Sequence, residues 1–528
     1  MTKKEDGDFR LTYATMYDPP EELHQNYEAA LAYVRDSMGA EHAMIIDGQD
    51  AHAAQKFEDR SPINQDWVLG SFQSGTEEDA HRALEAAQRA VPAWGRMPWK
   101  ERVETMRRAA DQIDARVYEI AAVLSLEVGK NRMEALADAA EAADLIRYNC
   151  DQMEANDGYV VPMAQDPLKG YQAQNISVLR PYGVWVVISP FNFPAALTGG
   201  PAGAALVAGN TIVMKPATDT PWTVRLLAEC LRDAGLPDGA FNYVTGPGST
   251  LGEGLVNSPL VDGITFTGSF DVGMGIYRKF ANGQYPRPII LEMGGKNPSL
   301  ITRNADLERA VSGILRSAFG LQGQKCSANS RIYVDEEVYG EFVSKLIEAA
   351  NELRVGDPTD RSVFMGPVIN RGAYQDFKDY SEELSEAGEF LVGGKILAEG
   401  GLEKGFFCEP TIVADVDGDH RLWKHEMFLP ITMVQPYQNL DQAIELANST
   451  SYGLTAGFYG SEDEAEWFFE NIEAGVTYAN RPQGSTTGAW PGFQPFGGWK
   501  GSGSSGKNAG GHYYLQLYMH EQVHTLIK

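Results

Sequence analysis

Cysteine is scarce in this chain. There are four in 528 residues, at 150, 230, 326 and 408, and no two form a CxxC pair. That spacing argues against a disulfide framework and against a zinc knuckle. Long hydrophobic runs are also missing. The longest, such as Val184 to Ile188, fall far short of the ~20 residues a bilayer demands. The opening Met1–Asp8 is charged with no apolar stretch after it, so no signal peptide is visible and a cytoplasmic location is expected. Basic residues are few, 44 Lys and Arg against 72 Asp and Glu, for a net charge of −28. Such a balance disfavours nucleic acid and anionic membrane as partners. The acidic excess accompanies an ordinary 43% of hydrophobic residues. It points to a surface adapted to high salt and a halophilic source, because molar salt shrinks the Debye length to about 3 Å and screens self-repulsion. An acidic enzyme from ordinary surroundings stays open as the alternative.

What is present is enough length for two or more domains and a change of pattern along the chain. The first ~70 residues read as polar and mixed, with turn text at Asp18-Pro19-Pro20. Thr76-Glu77-Glu78-Asp79 reads as a helix N-cap, followed by Ala80, Ala83, Leu84 and Ala87 on one face, and helical periodicity continues to about Tyr148. From Val184 the text becomes strand–helix–strand. β-Rich runs lie at 184–188, 211–214, 241–245, 263–267 and 289–292. Alternation of this kind predicts an α/β fold with a Rossmann-like parallel sheet, whose functional residues gather at the C-terminal strand ends. Asn192, Lys215, Gly246, Ser269 and Glu292 all fall there. A second α/β region follows Gly294, and a polar, strand-like segment over about 158–181 interrupts the first.

Three short motifs carry the chemistry. Gly323-Gln324-Lys325-Cys326-Ser327-Ala328 places a thiol among small residues. Leu291-Glu292-Met293-Gly294-Gly295-Lys296-Asn297 places one carboxylate in apolar, Gly-rich text. Pro190-Phe191-Asn192-Phe193-Pro194 pins a side-chain amide between prolines. Each alone is more often packing or a turn. Together they supply a nucleophile, a base and an oxyanion donor. No histidine lies in any of them, which disfavours a Cys–His hydrolase. The pairs His420/His425 and His520/His524 lack a ligand pattern, so no metal is expected. Cys150, Cys230 and Cys408 read as packing residues.

In order and spacing these motifs make the chain resemble the aldehyde dehydrogenase superfamily. The resemblance implies that the Cys326 thiolate adds to an aldehyde carbon. The oxyanion would be held by the Asn192 amide and the Cys326 N–H, each donor being worth about 3 kcal/mol. Hydride loss to a nicotinamide would leave a thioester, which water activated by Glu292 would hydrolyse. It also implies a division of the chain. Residues 1–157 and 182–293 would bind the dinucleotide, 294–500 would form the catalytic domain, and 158–181 with 501–528 would form a small β arm for homo-oligomerisation.

The dinucleotide signature GxGxxG is absent from the first βα turn. Instead Thr267-Gly268-Ser269, with Gly273 beyond, offers a hydroxyl and a helix N-terminus to a pyrophosphate. By resemblance Lys215 reaches the adenosine ribose, Glu426 holds the nicotinamide ribose and Phe428 borders the ring. Two departures stand out. Leu429 occupies a common Gly position, which would alter the local backbone. Thr218 stands where many members carry a ribose-chelating Glu that would repel a 2′-phosphate, so NADP stays open while NAD is the expected cofactor. Ser327, the loop Gly484–Ala489 and Gln494-Pro495-Phe496-Gly497 look like the subgroup acting on 1-pyrroline-5-carboxylate. There Ser327, Gly488 and Ala489 would anchor an α-carboxylate and Phe496 would pack on the aliphatic chain. Succinic or 2-oxoglutaric semialdehyde, and an inactive binding homologue, remain alternatives. A CoA-acylating enzyme is disfavoured because Glu292 supplies a base that such chemistry does not need.

Overall fold

Five β-rich runs become five parallel strands of one sheet, Val184–Ile188 being wholly apolar and the others mostly so. The computed structural model describes residues 11–12, 15, 19–482 and 490–528. Within it, Ile289–Glu292, Gly263–Thr267, Val184–Ile188, Thr211–Lys215 and Phe241–Tyr243 lie side by side in that spatial order. Val184, Trp185, Val186 and Val187 have no exposed surface, because helices cover both faces of a parallel sheet. Two further strands, Met44–Ile46 and Gln49–Ala51, extend it in antiparallel fashion.

Those two strands lie in the first ~70 residues, whose text is polar and mixed. The segment holds the helix Glu21–Asp36 and five strands of three to six residues. Strands this short carry too few alternations to be recognised. Ile45 pairs with Tyr243, some two hundred residues away, and Met44 and Ile46 are buried in a cluster with Ala83, Leu84 and Val244.

The helical text to Tyr148 resolves into Glu77–Arg96, Trp99–Ala115, Val117–Val128 and Arg132–Ala155. Thr76 forms the expected cap. Its backbone N–H donates to Asp79 at 2.9 Å while its hydroxyl accepts the Asp79 N–H. Ala80, Ala83, Leu84 and Ala87 are fully buried. The helix Ala196–Ala208 lies close against Arg132–Ala155. At Gly199, Gly200 and Gly203 an added Cβ would stand 3.0, 2.8 and 2.7 Å from Ala142, Leu145 and Ile146. The small residues set that separation and so fix the loop that precedes the helix.

A second seven-stranded sheet runs Glu389–Val392, Thr411–Ala414, Ile431–Tyr437, Asn329–Asp335, Asn297–Ile301, Thr455–Tyr459, Val476–Ala479. All its pairs are parallel except the first. Both sheets are thus of the open α/β type. In a third sheet, Ala173–Pro181 pairs antiparallel with Val160–Pro162 and, over nine residues, with Met519–Ile527. Before that last strand the chain returns to the first sheet, where the Leu291 carbonyl accepts the Ser504 N–H and the Ser502 carbonyl accepts the Met293 N–H. Among the described residues no helix is long and apolar enough to cross a membrane.

Candidate active site

The loops that leave the C-terminal strand ends surround a cavity of about 760 Å³. Cys326 lies on its wall, partly exposed, together with Asn192, Lys215, Thr218, Gly268, Ser269, Glu426 and Phe428. The other three cysteines are buried.

Cys326 follows a turn in which Leu321, Gln322 and Gly323 all have positive φ, at 48°, 57° and 67°. Two amides bracket the cysteine. The Asn192 amide donates to the Gln324 carbonyl at 2.9 Å. The Asn297 amide donates to the carbonyls of Cys326 and Ala328 at 2.8 and 2.9 Å, and its oxygen accepts the Thr455 N–H. The thiol is pushed up to about 12, chiefly by burial and further by the carboxyls of Glu426 and Glu292, while the Ser327 side chain and the Cys326 N–H act in the opposite direction.

Glu292 ends its strand as expected, yet it is not part of the cavity wall; the Gly498 N–H lowers its pKa against the larger effect of burial. Its Oε2 is buried without a hydrogen-bond partner, and burial holds the acid well above the usual carboxylate range. Glu426 accepts the Gly295 N–H at 2.7 Å and is raised to about 7, mainly by burial. This approach requires a glycine, since a Cβ on Gly294 would stand 2.0 Å from the Glu426 carboxylate. Phe428 meets Phe191 edge-on at 5.8 Å. The positive φ of this segment sits on Phe428, at 57°, and not on Leu429.

At the far end, Lys215 is buried and its ammonium donates to the adjacent Pro216 carbonyl at 3.0 Å. Desolvation lowers it to about 8. Ser269 precedes the helix Phe270–Ala281 without a side-chain cap bond, so its hydroxyl and the first N–H groups of that helix remain available to a ligand. A dinucleotide fits these features. A cation stands at one end, an uncapped helix N-terminus at the middle, and a carboxylate and an aromatic edge near the thiol.

Comparison with known proteins decides the family. The aldehyde dehydrogenase family model matches residues 49–523. The chain belongs to the aldehyde dehydrogenase family. It is 40% identical over 501 residues to 1-pyrroline-5-carboxylate dehydrogenase of Geobacillus thermodenitrificans, covering 94% of this chain and 95% of that one. It is similar to the crystal structure of 1-pyrroline-5-carboxylate dehydrogenase from Thermus with bound NAD, with TM-score 0.92, 33% identity and full coverage of both chains. Proline utilization A of Bdellovibrio bacteriovorus matches with TM-score 0.91 and 36% identity over 99% of this chain, which spans only 54% of that longer protein.

The remaining expected site residues of this aldehyde dehydrogenase are dispersed. Gly273 is off the cavity wall. It lets its helix approach Met293, whose sulfur would lie 2.7 Å from an added Cβ. Ser327 is buried and its carbonyl accepts the Thr455 hydroxyl at 3.3 Å. Phe496 is half-buried, its backbone paired in both directions with Ala509. Gly488 and Ala489 lie outside the described residues. Asn297 escaped the reading of its own motif because an Asn after Gly-Gly-Lys carries no mark of the two carbonyls it will bind. Val272 and Ile276, also on the cavity wall, were read only as helix text.

Proposed function

We propose that this aldehyde dehydrogenase oxidises L-glutamate γ-semialdehyde, the open form of 1-pyrroline-5-carboxylate, to glutamate with NAD, in the breakdown of proline. The observation that carries the reading is the thiol of Cys326 on the cavity wall, with the Asn192 amide on the next residue but one. The similarity to 1-pyrroline-5-carboxylate dehydrogenases over nearly the whole chain supports the substrate.

Bound along the cavity, the nicotinamide cofactor supplies the hydride acceptor that oxidation of an aldehyde to an acid requires. Lys215 and Ser269 hold its adenosine and pyrophosphate portions, and Glu426 and Phe428 hold the reactive end beside the thiol. Thr218 leaves the ribose without a carboxylate, so NADP is not repelled. Cys326 Sγ gives its proton to solvent and bonds to the aldehyde carbon as the carbonyl π bond opens onto oxygen; loss of the carbon-bound hydrogen as hydride to that acceptor would leave the thioester. The Cys326 N–H and the Asn192 amide receive the oxyanion, the amide giving up the Gln324 carbonyl. Glu292 turns toward the cavity to take a proton from water, whose oxygen displaces the thiolate from the thioester. Ser327 and the loop with Gly488 and Ala489 anchor the α-carboxylate, and Phe496 packs on the chain.

The strands 160–162, 173–181 and 519–527 support a homo-oligomer. Val160, Val161, Met163, Val523, Leu526 and Ile527 are exposed there, and Met519–Ile527 is an open edge. We assign a cytoplasmic location on the same footing, and the cofactor-binding, catalytic and arm regions with the boundaries given above. The test compares kcat/KM for 1-pyrroline-5-carboxylate, succinic semialdehyde and 2-oxoglutaric semialdehyde, each with NAD and NADP, in high salt. A preference for the first of ~100-fold, about 2.7 kcal/mol, supports the anchor. A preference for a substrate without the amino group removes the anchor and the pathway while keeping the Cys–Asn–Glu chemistry.

A further inference from the structure

One face of the helix Arg132–Ala155 touches both loops that meet at the thiol. Glu134 and Asp138 stand four residues apart, one above the other on that face. Both carboxylates are buried. Glu134 Oε1 accepts the Lys325 ammonium at 2.5 Å, and its Oε2 accepts the Leu321 N–H at 3.0 Å. It therefore ties together the first and last residues of the turn 321–325, immediately before Cys326. Asn131 orients it, donating to Oε2 at 3.2 Å. The turn needs a restraint, because Leu321 and Gln322 are left-handed without being glycine, a conformation that costs about 1–2 kcal/mol per residue. Asp138 does the same for the other loop. Its Oδ1 accepts the Ala196 N–H at 2.8 Å, and its Oδ2 accepts the Lys130 ammonium at 2.8 Å. That ammonium stands 3.7 Å over the ring of Phe193, the neighbour of Asn192.

We propose that Glu134 and Asp138 are positioning residues: through Lys325 and Leu321 on one side, and Lys130 and Ala196 on the other, they hold the Cys326 N–H and the Asn192 amide at the spacing an oxyanion needs. A buried ion pair is weak evidence for stability, since desolvation offsets most of its attraction. Here both pairs are spent on backbone geometry at the two donors. The inference rests on Cys326 being the nucleophile, and not on which aldehyde it takes.

The test uses an activated ester, p-nitrophenyl acetate. Its carbonyl oxygen enters the same oxyanion site as the thiol attacks the carbonyl carbon and p-nitrophenolate leaves, so neither aldehyde nor cofactor is required. Glu134→Gln keeps an acceptor for the Leu321 N–H and removes the charge that holds Lys325. The expected result is a fall of ~100-fold in p-nitrophenolate release, the order of loss that follows misplacement of an oxyanion donor. NAD affinity, read by intrinsic fluorescence, stays within about twofold, and with aldehyde kcat falls while the KM for NAD holds. The double variant Glu134→Gln/Lys325→Met recovers part of the loss, because it removes the unpaired ammonium. If Glu134→Gln does not fold, Gly320→Ala tests the same pair, since its Cβ would stand 2.7 Å from the Lys325 ammonium and 2.8 Å from Glu134. Ester acylation unchanged despite a lowered Tm, or acylation and NAD affinity falling together, overturns the proposal. Wild-type ester acylation without turnover of the semialdehyde would remove the substrate reading and leave this one standing.

Discussion

At the scale of single residues, burial sets the resting state of the chemistry. Burial pushes the Cys326 thiol up to about 12 and holds the Glu292 carboxyl above its usual range. The enzyme alone should therefore be a poor nucleophile near neutral pH. Alkylation of Cys326 by iodoacetamide, followed by peptide mass, should rise about tenfold per pH unit through the weakly alkaline range. A rate already level below about pH 8 would show a thiolate that is stabilised in some other way. Thr218 offers a second residue-scale test. Thr218→Glu places a carboxylate beside the ribose, and the ratio of kcat/KM for NAD over NADP should rise by ~10-fold or more through repulsion of the 2′-phosphate. An unchanged ratio would move the ribose away from Thr218. The three residues proposed to carry the chemistry stood out in the sequence because a thiol, a carboxylate and an amide are set among small residues or prolines, two of them, Asn192 and Glu292, at the ends of strands. Glu134, Asp138 and Asn297 were not legible. Their partners are backbone groups of distant loops, which leave no pattern around an Asn or a helical acid.

At the scale of elements, the parallel strands and the capped helix Glu77–Arg96 followed directly from local text. Runs such as Val184–Ile188 are apolar on both faces, and Thr76 with Asp79 forms a reciprocal cap. The early strands did not follow, since three-residue strands acquire their burial from partners far along the chain. Helix packing was hidden as well, because Gly199, Gly200 and Gly203 read as flexibility and act as a contact face. Gly200→Val should drive the Leu145 side chain from a position 2.8 Å from the new Cβ. The expected cost is about 1–3 kcal/mol of stability with a displaced Asn192 loop, measured by denaturant unfolding and by kcat. Full stability and activity in that variant would show that the two helices have room to separate.

At the scale of the whole molecule, charge is the dominant feature, and it extends inward. Asp59 is buried against Glu127, with one Asp59 oxygen unpartnered. Burial raises both acids, and their mutual repulsion adds to the shift of Asp59. A carboxyl raised in the folded state gives its full stability below its unfolded pKa, and that contribution is lost as pH rises through the folded value. Asp59→Asn keeps a partner for Glu127 and removes one ionisation. It should match the wild-type Tm near pH 4 and exceed it near pH 8 by a few degrees, on the order of 1 kcal/mol. A variant less stable at both values would mean that the pair is held ionised by a cation.

The central claim is that Cys326 carries the acyl group and Glu292 releases it. Removing the base while keeping the shape should stall the reaction at the thioester, slowing release by ~10²–10⁴-fold. The direct measurement is peptide mass spectrometry of Glu292→Gln quenched during turnover of 1-pyrroline-5-carboxylate with NAD. The account predicts one equivalent of reduced cofactor in a burst and a glutamyl group on the peptide containing Cys326. An unmodified Cys326 peptide alongside the burst, or steady turnover at the wild-type rate, would contradict it.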